Sequence, residues 1–333
     1  MSADASPGRA AGIGSAVRAL RSPVYLVALV TIAVTAFLPA FYGTEYFALS
    51  LVFATIHITL ALAWDLSSGL TGYINFGLPF FFGVGALATG YGFQHGLRGS
   101  GVLLLFDFAL GLGAGFLFAL PTLRLRGPFF TFLSLLLPLI AASFVIAFWT
   151  VLGMPTIGYY GIPFLAPTPS AELPILSGTT ALILSACVLL RGSRFGLVLR
   201  GIREDEEAVE SKGIRTLPFK VGVFSLASGI AAFSGGTYAM VTSFGGVDSF
   251  GFNFLLYPML IAIVGGALLR RGVGSLVGSV FAGYGIILFS QFLNLPVLGL
   301  QELTLPLFAF VAIVLVLLLP TSSVAARTPG EAG

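Results

Sequence analysis

Few residues in this chain are equipped for chemistry. Two histidines, His57 and His95, and one cysteine, Cys187, lie far apart in 333 residues. A metal-dependent or nucleophilic enzyme needs such groups clustered, as in H-E-x-x-H or a serine on a G-x-S-x-G turn, and neither pattern occurs. The two lysines, Lys212 and Lys220, follow Ser211 and Phe219, so no G-x-x-x-x-G-K-[ST] loop is present to cradle ATP. The chain is therefore expected to be no enzyme and to bind no cofactor or metal itself. Three features remain. Asp107 stands inside an apolar run, as either a functional intramembrane acid or a group that reaches interfacial water. The stretch Gly69 to Ala86 is broken by Gly72, Gly77, Pro79, Gly83 and Gly85. The segment Arg191 to Lys220 concentrates 12 of the 29 charged side chains in 30 residues.

The elements that must position these features are set by composition. The chain is 57% hydrophobic and 9% charged, with a mean hydropathy of +1.03. Soluble domains carry nearer a quarter charged residues, so this is an integral membrane protein. Its length allows about ten helices of roughly 20 residues across a lipid bilayer, with little left for a soluble domain. The 43 glycines and 18 prolines suit a membrane bundle, where small residues let helices approach. Gly111-x-x-x-Gly115 and Gly274-x-x-x-Gly278 are such contact faces. A net charge of +3 is too small to suggest a nucleic-acid partner.

The expected fold is an all-α polytopic bundle. Spans are read at 24–42, 46–64, 75–93 with a break near Pro79, 101–123, 129–149, 174–190, 219–241, 254–269, 273–293 and 303–320. Residues 1–23 and 321–333 are cytosolic tails around a transmembrane domain of 24–320, first span uncleaved. With both termini inside, 15 of the 16 basic residues fall on the cytosolic side and Arg98 alone outside. That asymmetry supports the span count and the orientation together. A similarity between Phe82-Gly-Val-Gly-Ala-Leu-Ala and Ile263-Val-Gly-Gly-Ala-Leu-Leu fits an inverted repeat as well as it fits chance. In the repeat reading, Gly72, Asn75, Phe76, Gly77, Phe82, Gly83, Gly85, Gly265 and Gly266 line a central translocation route. Tight helix packing is the competing reading for the same glycines.

The charged segment, between two apolar runs, must lie in water. Within it, Arg203 to Ile214 reads as a short helix with Glu204, Asp205, Glu206 and Glu207 in its first turn, where the helix dipole favours acids. Gly213 is the expected left-handed stop, and Pro218 opens the next helix. Ala208 and Val209 form a small apolar patch able to dock in a cleft. The segment is either a solvated loop that only sets orientation or a handle gripped by another protein.

Glu207-Ala208-Val209 with Gly213 resembles the coupling loop of ABC importer permeases, and residues 199–214 resemble that loop in the high-affinity branched-chain amino-acid permeases. That family also includes urea and short-chain amide permeases. Further likenesses follow in order: Gly69-Leu-Thr-Gly72, Asn75-Phe-Gly77, Phe82-Gly-Val-Gly-Ala86, Leu123-Arg-Leu-Arg-Gly-Pro-Phe-Phe130, Gly161-Ile-Pro163, Ile263-Val-Gly-Gly266 and Gly272 to Gly278. Leu78-Pro79, the 153–160 loop and Arg270-Arg271 depart from the family pattern. The resemblance implies one permease subunit in a prokaryotic cytoplasmic membrane. Its partners would be a second homologous permease, two cytosolic ATPases and an extracellular substrate-binding protein. Arg203, Glu204, Glu206, Glu207, Ala208, Val209 and Gly213 would form the ATPase-coupling loop. An ion-coupled secondary transporter is the rival, with Asp107 as its only intramembrane acid to serve.

Overall fold

A computed structural model of the chain describes residues 20–42, 44–123, 128–151, 158–269, 274–293, 310 and 314. The span at 303–320, most of both tails, Arg124, Arg126, Arg270, Arg271 and the 152–157 loop lie outside the described residues, apart from Phe310 and Val314. The elements are α1 Pro23–Phe37, α2 Pro39–Tyr42, α3 Glu45–Trp64, α4 Leu78–Gln94, α5 Ser100–Thr122, α6 Pro128–Phe148, β1 Gly158–Tyr160 and α7 Pro169–Gly192. There follow α8 Arg194–Glu204, α9 Glu206–Ser211, α10 Leu217–Thr242, β2 Phe244–Gly246, a 3-10 turn Val247–Phe250, α11 Asn253–Leu268 and α12 Leu276–Leu293. Among the described residues, six helices are long and apolar enough to cross a membrane, and α1, α4 and α12 are shorter.

Helix α3 is buried along nearly its whole length and packs on α7, α10, α11 and α12. By contrast α6 keeps Phe129, Phe132, Ile140 and Phe144 on its outer face, as a helix bordering lipid does. The closest approaches are made at glycines. A Cβ on Gly85 would enter the Ala232 carbonyl, and one on Gly235 would enter the Phe82 carbonyl, so α4 and α10 are in backbone contact at two points. Gly111 and Gly115 lay α5 on Ser228 and Ala232 of α10, and Gly265 lays α11 on Gly278 of α12. Without a hydrophobic drive between helices in lipid, this close packing supplies the attraction.

One sequence expectation is corrected. Pro79 does not break the third helix; it occupies the first turn of α4, where its missing N–H costs nothing. The helices are joined by loops that add one short strand pair. The loops after α6 and α10 pair as two antiparallel three-residue strands, Gly158 opposite Gly246 and Tyr160 opposite Phe244. Gly161 N donates to Ser243 O at 3.1 Å, and Tyr159 is buried against Gly90 of α4. This strand pair closes one end of the bundle, where Ser170 also donates to Glu45. The opposite end gathers residues 69–77, Leu123, the 191–220 segment and Gly274.

Candidate functional site

At that opposite end the charged segment folds as two helices, not one. Asp205 adopts an extended backbone (φ −160°), ends α8 and caps α9 by accepting from Ala208 N at 3.0 Å. Asp is among the strongest N-caps, which is why the break falls there and Glu204 closes α8 instead of opening α9. Gly213 has φ +79°, the left-handed stop expected of it, and Pro218 lies in the first turn of α10.

The acids of this handle divide by direction. Glu206 turns inward. Its Oε1 receives Lys220 Nζ at 2.7 Å and Thr216 Oγ1 at 2.7 Å, and its Oε2 receives the Tyr73 hydroxyl at 2.5 Å. Lys220 also donates to the Tyr73 hydroxyl and to the Leu123 carbonyl, both at 3.3 Å, and lies 4.6 Å from the Tyr73 ring centre. Burial pushes the Glu206 carboxyl up, but the hydrogen bonds from Lys220, Thr216 and Tyr73 and the Lys220 charge outweigh it, so its pKa falls below the ordinary value. Arg203 Nη1 donates to Gly69 O at 2.6 Å, and its stem covers Gly72, whose φ of +79° leaves only 3.1 Å between a Cβ and Arg203 Cγ. Glu204, Glu207 and Ala208 face outward. Val209, expected in an outward patch, turns back instead onto Gly201 of α8, because α9 is only six residues long and this is the apolar surface within its reach.

The glycine-rich stretch the handle touches is non-helical over residues 72–77. Such backbone needs partners at membrane depth. It finds them in side chains. Asn75 N donates to Ser68 Oγ (2.9 Å), Phe76 N to Ser134 Oγ (3.1 Å) and Gly77 N to Asn75 Oδ1 (2.8 Å). The Ile74 and Asn75 carbonyls accept from Thr131 Oγ1 and Trp64 Nε1. Sequence reasoning passed over Ser68, Thr131 and Ser134. Their signal was small: two hydroxyls three residues apart in an otherwise greasy span. A cleft of about 700 Å³ lies here, lined by Tyr73, Ile74, Phe76, Phe132, Arg203 and Glu206 among others.

Of the remaining route candidates, Gly83 abuts the Phe250 ring, Gly85 and Gly265 make the helix contacts described above, and Gly266 is buried in α11. The glycines of the third and eighth spans do not face each other. Those helices meet through Phe82, stacked on Phe254 at 4.1 Å between ring centres. His57 extends this aromatic cluster, lying 5.9 Å from Phe254 and 5.4 Å from Tyr257, as a helix-contact residue. Asp107 does not reach interfacial water. It is fully buried and accepts from Thr89 Oγ1 at 2.6 Å, beside Gly236 of α10. Among the described residues no three His, Cys, Asp or Glu side chains could hold a metal.

Long apolar helices in contact through glycines, with 12 of the 29 charged side chains on the 191–220 segment at one end, are the architecture of an integral membrane protein. The profile of the family described as "Branched-chain amino acid transport system / permease component" matches residues 46–319, and the chain belongs to that family. It is 25% identical over 277 residues to the high-affinity branched-chain amino acid transport system permease protein LivM of Escherichia coli K12, covering 74% of this chain and 64% of that one. The LivM of Salmonella typhimurium LT2 is 25% identical over 241 residues, covering 63% of this chain and 56% of its own length. The chain thus spans less than two thirds of these curated relatives. No solved structure matches it.

Proposed function

We propose that the chain is one permease subunit of an ATP-driven importer of branched-chain or related hydrophobic amino acids in a prokaryotic cytoplasmic membrane. It has ten spans and both termini in the cytosol. It works with a second homologous permease, two cytosolic ATPases and an extracellular binding protein. The observation that carries this reading is the grip of the handle on residues 69–77, through Glu206 to Tyr73 and Arg203 to Gly69. A push on the outward acids of α8 and α9 then has a direct path to the irregular backbone at the mouth of the bundle. Family membership and the names of the relatives support the substrate class. The gathering of 69–77, Leu123, the handle and Gly274 at one end supports the alternation of spans.

The residues proposed to meet the ATPase are Glu204, Glu207 and Ala208, with Arg203, Glu206 and Val209 holding that surface in place and Gly213 ending it. The proposed route begins at Gly72–Gly77 and passes Phe82. The test is radiolabelled leucine accumulation in cells expressing the companion subunits. Glu207→Arg with Ala208→Arg, or Gly213→Val, should leave the membrane level of the protein unchanged and abolish accumulation. Normal accumulation would remove the coupling role. Uptake that survives ATP depletion but collapses with an uncoupler would point to an ion-coupled carrier, and uptake of urea or acetamide in place of leucine to an amide permease.

A further inference from the structure

α3 does not end at Asp65. It widens into a five-residue π-turn, Asp65–Gly69, in which Leu70 N reaches back to Asp65 O, and then resumes as α-helix at Leu70 and Thr71. Single π-turns inside α-helices recur at functional positions. This one is fully buried and gripped from three sides. Asp65 accepts from Gly274 N at 2.9 Å and from Ser279 Oγ at 2.6 Å, so it holds the start of α12 from across the fold. Gly69 lies back to back with Gly274; a Cβ on Gly69 would stand 2.5 Å from Gly274 Cα. The handle supplies the second grip. Arg203 donates to the Gly69 carbonyl and Arg191 to the Gly274 carbonyl. The third is the non-helical segment 72–77, tied to the turn through Ser68 Oγ and Asn75 N and to the residue before it through Trp64 Nε1 and Asn75 O.

We propose that this π-turn is the hinge of the permease. Arg191 and Arg203 grip it, Asp65 is the positioning residue that makes it one unit with the start of α12, and Asn75 passes its movement to α4. A π-turn carries one residue more than the α-helix would, and in this proposal the helix switches between two discrete arrangements, with and without the bulge. Coupling between distant sites needs such a two-state element. The idea rests on the coupling role given to the handle, but its test stands apart from it.

The test is hydrogen exchange on the full chain in lipid nanodiscs. Arg203→Met, which has no donor, and Asp65→Ala, which has no acceptor, should each speed exchange about tenfold both at 65–71 and at 275–280, the latter reached from Arg203 through Gly69 and Gly274. Arg203→Lys, which keeps a donor for Gly69, should restore protection at both. Deleting Ser67, whose hydroxyl bonds only carbonyls of its own helix, should convert the turn to α-helix. That variant should still insert as a monodisperse protein and lose leucine accumulation. Exchange changes confined to the handle and Gly69, or a Ser67 deletion that transports normally, would overturn the hinge. A wild-type protein that accumulates no leucine would sink the importer reading alone, and the exchange result would still decide the hinge.

Discussion

Lys220 Nζ meets Glu206 Oε1 at 2.7 Å, with 4% and 13% of the two side chains exposed. The pair joins the first turn of α10 to the first turn of α9, and through Tyr73 to the non-helical segment 72–77. A buried pair of this kind owes its value to its completeness, because either charge left alone has lost its water without compensation.

Glu206→Ala is therefore expected to destabilise the protein by about 3–5 kcal/mol. Glu206→Leu combined with Lys220→Met should recover most of the loss, since no charge is left buried. Thermal melting of the detergent-solubilised protein measures both. A double variant no better than the single would show that the ion pair contributes nothing beyond packing.

The pH dependence of this pair has a definite sign. The folded Glu206 carboxyl titrates below its ordinary value of 4.5. Its contribution is thus fully present above that pH and is lost as pH falls through the lower, folded value. The melting difference between wild type and Glu206→Gln should be constant from neutral pH down to about 5 and shrink below 4.5. A difference that disappears already between pH 6 and 7 would place the linkage on another group.

Glycines on one helix should separate by face. On α5, Gly111 and Gly115 lie against Ser228 and Ala232, while Gly113 has nothing within 4 Å of where its Cβ would be. Gly111→Leu and Gly115→Leu force backbones apart, and overpacking of this kind costs about 1–3 kcal/mol or more. Both should yield aggregated protein on size exclusion in detergent. Gly113→Leu should elute as wild type.

Ser134→Ala removes the acceptor of Phe76 N. An unsatisfied buried N–H costs about 1–3 kcal/mol, so the segment 72–77 should exchange its amides faster while α6 itself stays protected. Exchange unchanged at Phe76 would mean that another acceptor takes over.

The sequence by itself determined the membrane class, the placement of most helices to within a few residues and the position of the polar handle. These follow from local quantities: long apolar runs, the clustering of charge, a glycine that needs positive φ at 213 and a proline suited to a first turn at 218. It could not decide what Glu206 does, because four neighbouring acids look alike until the backbone turns one of them toward Tyr73 and Lys220. It also could not choose between route and packing for Gly85 and Gly265, since a missing side chain fits both until a neighbouring backbone is seen to fill the space. The π-turn at Asp65 left no mark at all. One extra residue in a helix changes neither composition nor periodicity enough to be read, and it is held in place by Gly274, Ser279 and Arg203, more than a hundred residues away. Contacts between segments so distant in the chain exist only once the fold has brought them together.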